Sequence, residues 1–202
     1  MTVLLAGLGV AGQVLVVLVG FAAFSAVFGF PMPLRSIRRG VAGYELWLAF
    51  VVTAIATGGS LFFSEIAHFV PCELCWFQRI CMYPLSITTL LMALANDYRA
   101  ARYLLPLPVV GAGVSVYHLL VENGVVSQSS SCLISAPGGC GVKWINEFGY
   151  MTIPTLALTG FALAFVVLLF AVFEPTATVM VDDASEEGEA TSAPSGSAAG
   201  PP

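Results

Sequence analysis

The sequence predicts an all-α integral membrane protein, and three observations carry that prediction. Of its 202 residues, 58% are hydrophobic and 9% charged, against about 25% charged in a typical soluble domain; mean hydropathy is +0.91. Five stretches have about the 20 apolar residues needed to cross a hydrocarbon core about 30 Å thick. The stretches are continuously apolar rather than alternating, which selects helices over barrel strands. So apolar a chain cannot cover its surface with polar groups in water, which excludes a water-soluble enzyme. A net charge of −5 with only seven Lys and Arg also argues against nucleic acid, because phosphate binding needs clustered cations.

The first span, Val3 to Phe30, carries no charge. A cleaved signal peptide has a basic leading region and an apolar core of about 7–15 residues; this run is longer and nothing basic precedes it, so it reads as a membrane anchor. The second span is Glu45 to Phe69, with an uncharged centre from Leu46 to Phe63. The third runs from Trp76 to Ala95, the fourth from Tyr103 to Val121 and the fifth from Met151 to Phe173.

Arginines set the direction, since short cytoplasmic loops carry the excess of Lys and Arg. Arg35, Arg38 and Arg39 lie in the first loop, and Arg99 and Arg102 between the third and fourth spans. Five spans put both loops on one side, the cytoplasm, with the N-terminus outside and the C-terminus inside a plasma membrane. Segments 70–75 and 122–150 then face the exterior. Residues 174–202 hold six of the twelve acidic residues and neither a basic nor an aromatic one. Such a segment buries too little apolar area to offset its ordering entropy, so it reads as a disordered acidic cytoplasmic tail.

Four of the five cysteines fall in the two exterior segments, an assignment made without using cysteine. Oxidising compartments are where disulfides persist. Cys72-Glu73-Leu74-Cys75 opens the third helix, where unpaired N–H groups and the helix dipole favour a thiolate, the species that attacks disulfides. Arg79 follows Cys75 by one helical turn and can share its face. An ionisable residue at the edge of a span is a functional hypothesis by default, and snorkelling to the headgroups is the competing one. Half of a structural zinc site competes for the C-x-x-C, but the usual ligand spacings are absent, so no metal is expected.

Cys132 and Cys140 flank a polar, glycine-containing loop. A disulfide there would close a short exposed loop of the labile, catalytic kind; a structural staple is the alternative. Cys81, inside the third span, reads as a small buried apolar residue rather than a resolving thiol.

The run Val70-Pro-Cys-Glu-Leu-Cys-Trp-Phe-Gln-Arg-Ile-Cys-Met-Tyr-Pro-Leu85 closely resembles the signature of the disulfide bond formation protein B family, most of all its BdbC-type members. Trp144 to Leu156 and the Tyr117-His118 pair are similar to it as well. The likeness covers about 44–173. It implies a four-helix transmembrane bundle, so the first span is one extra N-terminal transmembrane helix, giving three regions: 1–31, 44–173 and the tail. It also implies a thiol:quinone oxidoreductase that reoxidises an extracytoplasmic thioredoxin-like (DsbA-like) dithiol protein and supports disulfide formation. By that resemblance Cys72 and Cys75 exchange with a ubiquinone or menaquinone, Cys132 and Cys140 with the partner protein, and Arg79 lies beside the quinone.

Arg79 would stabilise a thiolate and the negative charge developing on the quinone. Gln78 has the groups to bond a quinone carbonyl or to face a neighbouring helix. Trp76, Phe77 and Phe62 are candidates to line the ring site, although aromatics at this depth usually belong to the interfacial belt. The nearest rival is an enzyme similar to vitamin K epoxide reductase, but the early C-x-L-C-x-x-Q-R with a later second pair fits less well there. A non-enzymatic, thiol-dependent metal-handling membrane protein is the alternative from another class.

Overall fold

A computed structural model describes residues 2–27 and 43–173. The arginine loop at 31–40 and the acidic tail at 174–202 lie outside the described residues. The helices are α1 (Thr2–Val27), α2 (Glu45–Leu61), α3 (Glu73–Ala95), α4 (Ala101–Leu104), α5 (Pro106–Glu122), α6 (Ser130–Ser135) and α7 (Ile153–Phe173). Among the described residues the only β pairing is an isolated bridge between Glu147 and Met151.

Four segments are long and apolar enough to cross a membrane: Glu45–Ile66, Glu73–Ala95, Ala101–Glu122 and Ile153–Val172. They form the bundle, with α2 against α3 and α7, and α5 against α3 and α7. The apolar α1 packs on the outside of α7. The chain is therefore a multi-pass membrane protein, helical in its described residues; four of the five expected spans are long and apolar enough to cross, and α1 offers a shorter apolar stretch, Ala6–Val19.

Local chemistry moves several boundaries. A π-helical turn, Phe62–Ile66, ends the second span, short of the Phe69 expected from hydropathy, and His68 then turns the chain with φ +55°. Proline fixes the start of α5, because Pro106 at its first turn needs no N–H partner. Asn96 stops α3 in the left-handed conformation (φ 52°), which asparagine tolerates better than most residues. At the head of α7, Met151 exchanges two backbone hydrogen bonds with Glu147, so the helix begins at Ile153 rather than Met151.

Packing inside the bundle depends on close approach and on paired hydroxyls. Gly111 of α5 faces the fully buried Phe161 ring of α7, and a Cβ at 111 would collide with it. Thr53 of α2 and Thr89 of α3 share a hydrogen bond of 3.1 Å, a contact worth about 0.6 kcal/mol on average between membrane helices. Cys81 belongs to this core, beside Leu46, Met82, Leu85 and Phe161, where it packs as a small apolar group.

Candidate active site

Both cysteine pairs meet at one end of the bundle. Cys72, Leu74, Val121, Cys132, Ala136 and Cys140 form a single buried apolar cluster, with Cys75 packed against it. Three segments build it: the N-terminus of α3, the C-terminus of α5, and the α6 loop that carries the second pair. Sequence separation offers no hint of this meeting.

Cys72 is the N-cap of α3, with extended backbone (φ −76°, ψ 172°). The dipole expected from the C-x-x-C position is thus available to its sulfur. Cys72 and Cys75 are free thiols with sulfurs 3.0 Å apart. Cys72 is driven from the ordinary thiol value of 9.0 down to about 4, first by the hydrogen bond from Cys75 and then, against the cost of burial, by His118. Cys72 is thus the sulfur of the pair that favours the thiolate, with Cys75 hydrogen-bonded to it.

Two contacts place His118 in the centre. Its Nε2 stands 3.7 Å from Cys72 Sγ and 3.1 Å from the Cys140 carbonyl oxygen. On the other edge Nδ1 lies 3.5 Å from the Gln78 amide nitrogen, which donates to Ser115 Oγ at 3.1 Å. With a proton on Nε2 the ring can face the carbonyl and the Cys72 sulfur as donor, while Nδ1 lies against the Gln78 amide. Gln78 thus faces the neighbouring helix, one of its two sequence readings, and holds the histidine from behind; it also borders the cavity described below. His118 lies four residues from the buried Glu122; in the sequence it stands out by the family likeness and as a histidine in a different span from the C-x-x-C. Glu122 accepts from Thr152 Oγ1 at 3.0 Å, while its Oε1 is buried with no hydrogen-bond partner among the described residues.

Cys132 and Cys140 form a disulfide, with Cα atoms 5.4 Å apart. The sequence suggests an exposed bond; in the structure the two residues are 2% and 1% exposed. The loop folds over its own disulfide. Ser129 caps α6 by accepting from the Cys132 N–H at 3.2 Å, and Gln128 Oε1 accepts from the Cys140 N–H at 2.9 Å. Gly138 and Gly139, both with positive φ (85° and 74°), make the return turn.

Behind Cys75 lies a cavity of about 270 Å³. Its polar groups include Cys75, Gln78 and Arg79, and its walls are otherwise largely aliphatic and aromatic. Arg79 donates to the Ser60 carbonyl at 3.2 Å and lies 5.4 Å from the Trp76 ring centre, so its guanidinium is anchored at the cavity wall that Cys75 shares. Trp76, Phe77 and Phe62 do not line the cavity, and Trp76 and Phe77 are exposed on the outside of the helix, in line with the interfacial-belt reading. Phe63, Phe69 and Trp144 do line it, stacked in a row with centroids 6.0 and 5.3 Å apart. Two of these three come from loops, where periodicity cannot place them.

Cys72, Cys75 and His118 hold their ligating atoms within 4.8 Å of one another, a juxtaposition the C-x-x-C spacing alone does not reveal. Three such donors also suit a soft metal.

Comparison with known proteins bears on this site. The family model for disulfide bond formation protein DsbB matches residues 44–173. Disulfide bond formation protein C of Bacillus subtilis is 44% identical over 119 residues, 58% of this chain and 85% of that protein. A probable disulfide formation protein of Deinococcus radiodurans is 39% identical over 133 residues, 61% of this chain and 86% of its own length. One from Oceanobacillus iheyensis is 39% identical over 129 residues, covering 64% and 89%. No solved structure matches.

Proposed function

The chain belongs to the disulfide bond formation protein DsbB family, and on that footing we propose that it oxidises an extracytoplasmic thioredoxin-like dithiol protein and delivers the electrons to a membrane quinone. Family membership makes it a membrane protein of disulfide formation. The observation that carries the reading is the meeting of two cysteine pairs in one buried cluster, one of them opening on an apolar cavity that holds Arg79.

The steps balance. A thiolate of the partner attacks the Cys132–Cys140 bond and forms a mixed disulfide, releasing one cysteine as thiolate. The second partner thiol displaces the other, leaving the partner oxidised and both Cys132 and Cys140 reduced. Those two thiols in turn reduce a Cys72–Cys75 disulfide, restoring their own bond and leaving the dithiol form of the first pair. That end state has the bonding pattern of the structure: Cys132–Cys140 joined, Cys72 and Cys75 free.

A quinone would supply the acceptor for two electrons and two protons, returning Cys72–Cys75 to the disulfide. The cavity suits such a molecule: a flat apolar ring matches the aromatic walls, and Arg79 offers charge where a carbonyl gains electron density. Low dielectric increases the effect of that charge. His118 holds a proton against Cys72 Sγ and, with Gln78 behind it, keeps a fixed tautomer. Orientation rests on the arginine loops, which put the cysteine end outside and the C-terminus in the cytoplasm.

The test is quinone reduction by the purified protein in lipid nanodiscs, given a reduced thioredoxin-like partner. Turnover is expected, with alkylation gel shifts showing both pairs reduced by excess partner dithiol. A Cys132–Cys140 bond that never reduces would make that pair a staple and overturn the relay. The cluster of Cys72, Cys75 and His118 favours one second reading, metal handling. Stoichiometric metal after anaerobic purification, without quinone turnover, would support it instead.

A further inference from the structure

The family match begins at residue 44, so α1 is additional to it. Yet α1 borders the cavity, through Leu8 and Gly9. Its position is held at several points. Gly9 and Gly12 let it approach α7 so closely that a Cβ would come within 2.5 Å of Leu156 and 2.9 Å of Leu163. Gln13, the only amide side chain in an otherwise apolar helix, donates to Thr159 Oγ1 at 3.3 Å and accepts from Tyr150 Oη at 3.1 Å. A polar group at this depth is costly unless partnered, so the two bonds fix the rotation of α1 and its depth along α7.

The cavity reaches from α3, which carries Cys75, Gln78 and Arg79, to α1, which packs against α7. On the α1 side the lining is Leu8, Gly9, Leu156, Thr159 and Leu163, with no charged group among them and the Thr159 hydroxyl bonded to Gln13. A ligand filling the whole space therefore has a polar head at Arg79 and an apolar extension running to α1. A volume of about 270 Å³ is near the lower end of small-molecule pockets, about 300–1,000 Å³. It suits a head group and the first part of a tail.

We propose that α1 is a specificity-determining wall of the acceptor site, with Leu8 and Gly9 contacting the apolar tail of a long-chain quinone next to its head group. The inference rests on the reading of the cavity as a quinone site. It assigns to the N-terminal helix a selective role that the four-helix bundle does not supply.

Two measurements on the full chain in nanodiscs test it. First, a quinone carrying a photoreactive group on its tail should label the peptide containing Leu8 and Gly9, while one labelled on the ring should mark α3. Second, Leu8→Trp should raise KM about tenfold for a long-tailed quinone relative to a tail-less analogue, the loss expected when a buried apolar contact is forfeited. Tail labelling confined to other helices would overturn the proposal whether or not the variant folds. So would equal KM changes, or none, for the two quinones in Leu8→Trp. If the unaltered protein neither binds nor reduces any quinone, the reading of the cavity itself fails and the proposal with it. Wild-type turnover of both quinones separates that failure from failure of the α1 role alone.

Discussion

His118 Nε2 stands 3.7 Å from Cys72 Sγ, bridging a residue of α5 to the cap of α3 across 46 positions of sequence. The same nitrogen lies 3.1 Å from the carbonyl of Cys140. One imidazole edge therefore touches both cysteine pairs.

A first prediction concerns that thiolate. Cys72 should titrate near pH 4 in the reduced protein, as read by the pH dependence of alkylation or by thiolate absorbance. Cys75→Ala, which removes the larger cause, should raise the midpoint most. His118→Phe should raise it by about one pH unit or more. Between about pH 4 and 9 the unfolded chain holds a proton here that the folded chain does not. The stability this group contributes is therefore complete above pH 9 and is lost as pH falls towards 4. An alkylation midpoint left near 9 in the wild type would refute the assignment.

A second prediction separates the quinone step from the thiol step. Arg79→Ala should slow quinone reduction by about 10²-fold, the usual cost of losing a preorganised electrostatic group. Reduction of Cys132–Cys140 by the partner dithiol should stay within a few-fold of wild type. Arg79→Lys should fall between, because it keeps a charge but not the planar group that reaches Ser60 and stacks near Trp76. Stopped-flow measurement of each half-reaction decides the matter, and an unchanged quinone rate in Arg79→Ala would remove the role.

Gly139 provides a third. Its φ of +74° is costly for any residue with a Cβ, and that Cβ would strike the Gln128 side chain, which holds the Cys140 N–H. Gly139→Ala should cost about 1–3 kcal/mol locally. The expected readout is faster reduction of Cys132–Cys140 by dithiothreitol with little change in the melting of the bundle. Equal reduction rates would show that the turn does not guard the bond.

The fourth compares two glycines on one helix. A Cβ at Gly111 would collide with the Phe161 ring, whereas nothing lies within 4 Å of one at Gly113. Gly111→Ala should destabilise the bundle by about 1–3 kcal/mol through overpacking. Gly113→Ala should be neutral or stabilising by up to about 1 kcal/mol, from helix propensity. Thermal denaturation in one detergent distinguishes them.

Some of this was legible in the residues and some was not. The spans follow from solvent: a run of about 20 apolar residues such as that ending at Ala95 has few other places to go. The opening of α3 at Cys72 was legible too, from the position of the C-x-x-C ahead of an apolar run. Contacts between segments were not. Nothing in the spacing of Cys72 and His118 says that they touch, and nothing in the polar loop around Cys132 says that it folds down over its own disulfide. Phe69 and Trp144 lack a helical period, so their stacking at the cavity emerges only from the loops that carry them. Trp76 and Phe77 illustrate the converse: they are near Arg79 in sequence, but the helical turn points them outward, where interfacial aromatics usually sit.

The near-complete burial of Cys132 and Cys140 has a consequence for which thiols can use them. An oxidant open to the medium would be discharged by any small thiol that diffused past, and its driving force would be spent on metabolites. Here the sulfurs are met only when the loop at residues 129–141 opens. If the pair exchanges with a partner protein, as proposed, contacts made by that partner can favour the open loop, which a small thiol has little surface to do. Selectivity for macromolecular clients is in that case kinetic. It is set by the cost of opening the loop and is independent of the redox potential of the bond beneath it.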